Sequence, residues 1–156
     1  MRDGLLIMRR VIRYISIVIL TALIMLTTAG CKNEVITDIV LRDDDFIVEQ
    51  YFEIIDDYEN LQYEQIVNSL KYFDIGPHEP TYRGIIYLTD DEIAELYERY
   101  EWTETDTEFE FDKVDISGVE GPWYSCREFN HDNFKIIHCN YCVFNGEALV
   151  FDLHVM

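Results

Sequence analysis

Positive charge is scarce in this sequence. Twelve Lys and Arg stand against 31 Asp and Glu, a formal net charge of −19 over 156 residues. A surface of that sign repels nucleic acid and anionic head groups and favours cationic partners, so no nucleic-acid partner is expected. No glycine-rich phosphate loop, Gly-x-Ser-x-Gly elbow or EF-hand spacing occurs, which removes the nucleotide-binding, serine-hydrolase and calcium-sensor classes that a sequence can announce. Loose Ca²⁺ association with Asp43–Asp45 or Glu104–Glu110 is the most the acids offer, and they specify no ligand set. No cofactor and no metal centre are expected. Internal repeats are absent as well. Disorder is excluded from the other side: aromatic residues make up 14% of the chain, and Ile, Val and Leu are plentiful despite the charge.

Charge of either sign is missing from Tyr14 to Gly30, behind a basic cluster of Arg9, Arg10 and Arg13. The middle of the run reads ISIVILTALIML. This is the charged and then apolar layout of an export signal, slightly short of the ~20 residues that a transmembrane helix needs. Met8 opens a more typical signal than Met1, so translation from either is open. The run closes on Thr28-Ala29-Gly30-Cys31. This resembles the lipobox of bacterial lipoproteins, although Thr28 stands where that motif usually has Leu. The resemblance implies cleavage after Gly30 and a diacylglyceryl group on Cys31, whose two acyl chains suffice for stable attachment to a lipid bilayer. The alternative is an uncleaved anchor with an incidental cysteine. Either way the arginines favour the inner side and leave the rest outside the cytoplasm, on the outer face of the cytoplasmic membrane or the periplasmic side.

The expected organisation is a signal peptide over 1–30, a tether over 31–43 and one domain over 44–156. Removing residues 1–30 takes away Arg2, Arg9, Arg10, Arg13 and Asp3, leaving 30 acids against 8 bases, a net of −22. Val48, Tyr51, Phe52, Ile55 and Tyr58 recur at helical spacing and predict a helix over 45–59; Tyr63, Ile66, Val67 and Leu70 predict a second, shorter one. Gly76-Pro77 and Pro80 break the chain. Ile85–Leu88 reads as a strand. Thr89 and Glu92 form a capping box before a third helix, with Ile93, Leu96, Tyr97 and Tyr100 on one face. Phe109 and Phe111 then alternate with acids, but Val114 and Ile116 fall on the opposite parity. That predicts a strand with a β-bulge near Asp112-Lys113. A strand over about 123–129 and a loop at Asn130–Asn133 follow. Asn145-Gly146 predicts a two-residue hairpin turn joining strands at 134–144 and 147–155.

The fold class expected is α+β, with N-terminal helices packed on a curved antiparallel sheet. The opening FIVEQYFEIIDDYENLQYEQIVNSL resembles the start of NTF2-like (SnoaL/cystatin-like) domains, with Tyr63-Glu64 and Leu70 at the matching places. That resemblance implies a cone-shaped cavity between sheet and helices, and no particular activity.

Beyond Cys31 the cysteines are Cys126, Cys139 and Cys142. His138-Cys139-x-x-Cys142 suggests a metal or redox pair, but two residues three apart on a strand point to opposite faces unless the chain bulges between them. A disulfide between Cys126 and Cys139 is open in an oxidising location, as is a set of three buried thiols. With Asn145-Gly146 as the turn, Cys139 faces Asp152 and His154 lies further along the same face. A Cys–His–Asp group of that kind could activate a thiolate. The sequence therefore supports a non-enzymatic lipoprotein domain that binds a small ligand or a cationic protein. Against it stand a small hydrolase or thiol enzyme using Cys139, Asp152 and His154, and an acidic inhibitor or immunity-type protein of a basic partner.

Overall fold

The structure, a computed structural model, describes residues 34–70 and 79–155. The export signal, Cys31 and the chain break expected at Gly76-Pro77 lie outside the described residues. Among the described residues the first element is a strand, β1 (Val35–Arg42), followed by a short helix, α1 (Phe46–Tyr51), and a thirteen-residue strand, β2 (Tyr58–Leu70). Two expectations are corrected here. Val35–Arg42 of the expected tether form β1, built on the β-branched residues Val35, Ile36, Thr37, Ile39 and Val40. The second helix is β2, so the two-helix opening is replaced by strand, helix and strand. The helical spacing holds only as far as Phe52. From Tyr58 onward the chain pairs with β3 as far as Ile66 and with a second strand, β1, from Tyr63 to Leu70, and that pairing overrides a weak local pattern.

The remaining elements are β3 (Thr81–Leu88), α2 (Asp90–Arg99), β4 (Thr103–Thr105), β5 (Trp123–Ser125), α3 (Arg127–Asn133), β6 (His138–Phe144) and β7 (Ala148–His154). The strands form one antiparallel sheet in the order β1-β2-β3-β7-β6-β5-β4. The class is α+β, with the longest strands in the N-terminal half of the sheet. Strand β3 ends its pairing at Thr81 opposite Ile66, so Val67–Leu70 pair only with β1 in a two-stranded extension. No helix among the described residues is long and apolar enough to cross a membrane.

Both faces of the sheet are covered at its centre. On one face, Ile47, Val48 and Phe52 from α1 and its exit, Leu96 from α2 and Phe129 from α3 pack on Leu61, Tyr63, Ile86, Phe144, Leu149 and Phe151. Gly84 permits this packing. A Cβ there would lie 2.4 Å from the Cβ of Tyr63 and 2.8 Å from the ring of Phe151. On the other face, Ile85, Val143, Ala148 and Val150 are covered by Phe109, Phe111, Val114 and Ile116. These are the four residues whose parity changes in the sequence. The break does fall at Asp112-Lys113, but 106–122 forms no strand. The chain turns there, which returns all four side chains to the same face.

Strand 123–129 is also shorter than expected. It stops at Ser125, and Cys126 caps α3, its Sγ accepting from the Phe129 N–H. The expected loop is the end of that helix. There Asn133 donates to the Phe129 carbonyl and accepts from the Ile54 N–H. The hairpin is present, displaced by one residue. Asn145 N–H donates to Ala148 C=O, which puts Gly146 (φ 95°) and Glu147 at the centre of the turn, and glycine supplies the positive φ required there. Pairs along the hairpin therefore run Phe144–Leu149, Cys142–Phe151 and Tyr141–Asp152.

Thr89 caps α2 as expected, accepting from the Glu92 N–H. The second half of the capping box is used elsewhere: the Glu92 carboxylate accepts from the Asp57 N–H and ties the entry of β2 to α2. Glu92 is buried, its Oε1 has no protein partner, and burial holds its carboxyl above the usual carboxylate range. The folded state thus keeps a proton that the unfolded chain has already lost. The resulting stability is present below the ordinary carboxylate pKa and is lost as pH rises through the raised value. Glu92→Gln should keep the bond to Asp57, raise the urea midpoint at pH 7 and flatten the fall in stability from the ordinary carboxylate pKa upward. Parallel stability–pH curves for the two proteins would contradict this account.

Candidate functional site

Register places four polar residues in one row across the sheet. Glu64 of β2 lies opposite Arg83 of β3, Arg83 opposite Asp152 of β7, and Asp152 opposite Tyr141 of β6. All four share the face of Ile85, Val150 and Val143. Glu64 is fully buried. Its Oε1 lies 2.5 Å from Arg83 Nη2, and its Oε2 accepts from the backbone N–H groups of Asp112 (3.0 Å) and Lys113 (2.9 Å). Arg83 also pairs with Asp112 Oδ2 at 2.8 Å, on the exposed side. The turn at Asp112-Lys113 is therefore a receptor for one buried carboxylate.

The rest of the row is half-buried. Asp152 accepts from Asn140 Nδ2 at 3.0 Å; burial holds its carboxyl above the usual range, opposed by Asn140, Arg83 and His154. Burial, and then the Asp152 charge, pushes the Tyr141 phenol up to about 12. His154 shares a hydrogen bond of 2.9 Å between Nδ1 and Thr81 Oγ1, and faces His138 across the strand pair. Three carboxylates with one guanidinium leave an excess of negative charge. Because Arg83 is engaged by both Glu64 and Asp112, it offers little to an incoming anion. The arrangement can clamp a segment to the sheet. It does not present an electrophile or an open cation for catalysis.

The expected Cys139, Asp152 and His154 group is not assembled. A bulge at Asn140, between Cys139 and Tyr141, shifts the register so that Cys139 pairs with Leu153. Cys139 thus joins the face of Cys142, Phe151 and Leu153, while Asp152 and His154 stay on the other. Burial, reinforced by the negative charge of Asp152, pushes the Cys139 thiol up to about 12; burial holds Cys142 well above its ordinary value. Neither environment favours a thiolate nucleophile. Cys126, Cys139 and Cys142 are unbridged. The β5–β6 register, Tyr124 with Phe144 and Ser125 with Val143, carries Cys126 toward the level of Cys142 rather than Cys139, which accounts for the missing disulfide.

Among the described residues, no three His, Cys, Asp or Glu side chains are grouped to hold a metal ion. Two of the acids at 43–45 are engaged otherwise: Asp44 accepts from Tyr63 Oη and pairs with Arg42, and Asp45 accepts from Tyr58 Oη. Glu108 and Glu110 are exposed. The feature that the sequence pattern concealed is a recess of about 290 Å³ walled by Tyr97, Tyr100, Trp102 and Tyr124. Helical spacing assigns Tyr97 to the core face of α2, yet its side chain is 53% exposed. The density of aromatic residues from 97 to 102 was the available signal. No protein-family model, curated protein or solved structure matches this chain.

Two outcomes test this description. Arg83→Met leaves Glu64 buried without its cation and should cost ~3–5 kcal/mol in urea unfolding, since breaking one half of a buried pair strands the other charge. Trypsin should then cut at Lys113 faster, and adding Glu64→Gln should recover part of the loss; an unchanged midpoint would disprove the clamp. For the cysteines, peptide mapping of iodoacetamide labelling at pH 8 should find native Cys139 reacting on the order of 10³-fold more slowly than a free thiol. Rapid native labelling would restore the thiol-enzyme reading.

Proposed function

We propose that this protein is an extracytoplasmic lipoprotein whose α+β domain is a non-catalytic binding module, held to the bilayer through Cys31 and binding through the aromatic recess beside α2. The observation that carries the anchored half of this reading is Thr28-Ala29-Gly30-Cys31 placed just ahead of an ordered strand. Cys31 precedes Val35 by four positions, a reach of at most ~14 Å for extended chain. Apolar side chains are exposed at that end of the extension: Val35 (59%), Ile36 (45%) and Leu70 (39%). A lipidated residue so close to β1 would hold this end near the head groups.

The non-catalytic half is supported by what the polar groups do. Cys139 lies on the other face from Asp152 and His154, and Arg83 is engaged by two carboxylates. The recess at Tyr97, Tyr100, Trp102 and Tyr124 is lined by side chains that bind rather than react.

Mass spectrometry and detergent phase partition of the protein from a producing bacterium test the anchor. The expected species begins at Cys31, carries a diacylglyceryl mass and enters the detergent phase. Cys31→Ser should lose that mass and remain unprocessed. An unmodified wild-type chain that still contains residues 1–30 would instead mean an uncleaved anchor.

A further inference from the structure

We infer that the aromatic recess is a binding site for a quaternary ammonium group, such as the head of a choline-type compound. The inference rests on the binding-module reading and names its ligand class. Four aromatic residues converge from three elements: Tyr97 from α2, Tyr100 and Trp102 from the chain that leaves it, and Tyr124 from β5. The Tyr100 and Trp102 rings meet nearly edge to face, with centroids 6.3 Å apart at 73°. Trp102 is held from behind by Phe129 (5.3 Å) and Phe144 (5.0 Å), and its Nε1–H donates to the Leu96 carbonyl at 3.1 Å. Tyr97 packs on Phe144 at 5.3 Å. The walls are therefore preset by the core, which lowers the cost of ordering them around a ligand.

Charge decides between the ligands that aromatic walls can take. The Tyr100 hydroxyl donates to Asp132 Oδ2 at 3.0 Å; burial, and then this carboxylate, pushes the phenol up to about 12. Donation to a carboxylate also enriches the ring in electron density. Glu104 lies opposite Tyr124 in the β4–β5 pair. Both carboxylates stand behind the walls rather than inside the recess, Asp132 lining one neighbouring depression and Glu104 another, so what they contribute is the field of a strongly negative domain. Aromatic faces attract cations through their quadrupole, and a quaternary ammonium offers no N–H that would have to leave water for a partner. The ring of Tyr100 already takes a cation: the Arg99 guanidinium carbon sits 5.3 Å from its centroid. Arg99 lines the two neighbouring depressions and not this recess, so that cation does not fill the site. At about 290 Å³ the recess lies at the lower bound of small-molecule pockets, ~300 Å³, a size suited to a compact head group.

The test is calorimetric titration of the full-length protein in a polyoxyethylene detergent, which carries neither choline nor sugar. Three probes are used: choline, its uncharged isostere 3,3-dimethylbutan-1-ol, and glucose. Choline should bind saturably, with the isostere about tenfold weaker, the margin expected of a partly desolvated cation–π contact. Tyr97→Ala, at an exposed ring, should weaken choline by a similar factor without moving the thermal midpoint. Because the variant could disturb packing on Phe144, the unmodified protein supplies an independent reading: the choline methyl protons should show NMR cross-relaxation to the Trp102 and Tyr124 rings. Equal binding of choline and its isostere overturns the inference, as does saturable binding of glucose alone. Choline binding without contact to those rings also overturns it. Detergent partition of the same samples reports on the anchor, which involves none of these rings, so failure of one reading leaves the other measurable.

Discussion

A single buried carboxylate organises one face of the sheet. Glu64 is inaccessible to solvent and would be costly there without partners. Arg83 on the neighbouring strand supplies the countercharge, and the N–H groups of Asp112 and Lys113 take the other oxygen. Because the two N–H groups belong to consecutive residues, the chain must turn at that point. The turn in turn sets Phe109 and Phe111 on one side, and Val114 and Ile116 on the other, over Ile85, Val143 and Val150. The irregular segment from 106 to 122 needs no strand of its own, since it is held by the Arg83–Asp112 pair, by the two N–H groups on Glu64, by side-chain bonds such as Lys113 to the Ile39 carbonyl, and by its apolar side chains. A buried pair of this kind adds little to net stability against an apolar replacement; what it adds is register.

The parts of this design that are legible in the sequence are those written in local chemistry. Thr89 caps a helix because its hydroxyl reaches the Glu92 N–H three residues on. Asn145-Gly146 marks a hairpin because glycine tolerates φ of 95°. The parity change at Asp112-Lys113 is readable because apolar side chains must return to the core. Contacts made across the sheet are not readable in this way. Glu64 is one acid among 31, and nothing nearby in sequence reveals Arg83 or the two N–H groups. Residues 58–70 carry enough helical spacing to mislead, because a strand held along its whole length by one neighbour or the other, and by both over Tyr63–Ile66, needs no strong pattern of its own. The bulge at Asn140 has the largest consequence. It leaves no local trace, yet it moves Cys139 off the face of Asp152 and dissolves the proposed catalytic group.

Aromatic residues show the same division between local pattern and final place. Tyr97 falls on the apolar stripe of α2 by spacing, but α2 ends at Arg99 and the chain then turns into β4. Trp102, three residues past the helix, packs against Phe129 and Phe144. Tyr97 is left at the rim. The recess is thus a by-product of where the helix stops, with its walls anchored in the core and its mouth in solvent.

Charge connects this recess to the far side of the sheet. Strand β1 is an edge of eight residues that carries exposed Val35, Ile36, Val40 and Leu41, the sort of edge that invites pairing with another chain. Asp38 and Arg42 on the strand interrupt it only lightly. The larger safeguard is the net −22 of residues 31–156, which sets any two copies against each other at close range. That repulsion is felt within about 8 Å at physiological salt, the distance over which an edge-to-edge contact must form. The same field works in the opposite sense on a small cation, raising its local concentration at the surface. A single property, an excess of carboxylates over a well-filled core, therefore works against edge-to-edge pairing at β1 and in favour of the cationic ligand proposed for the aromatic recess.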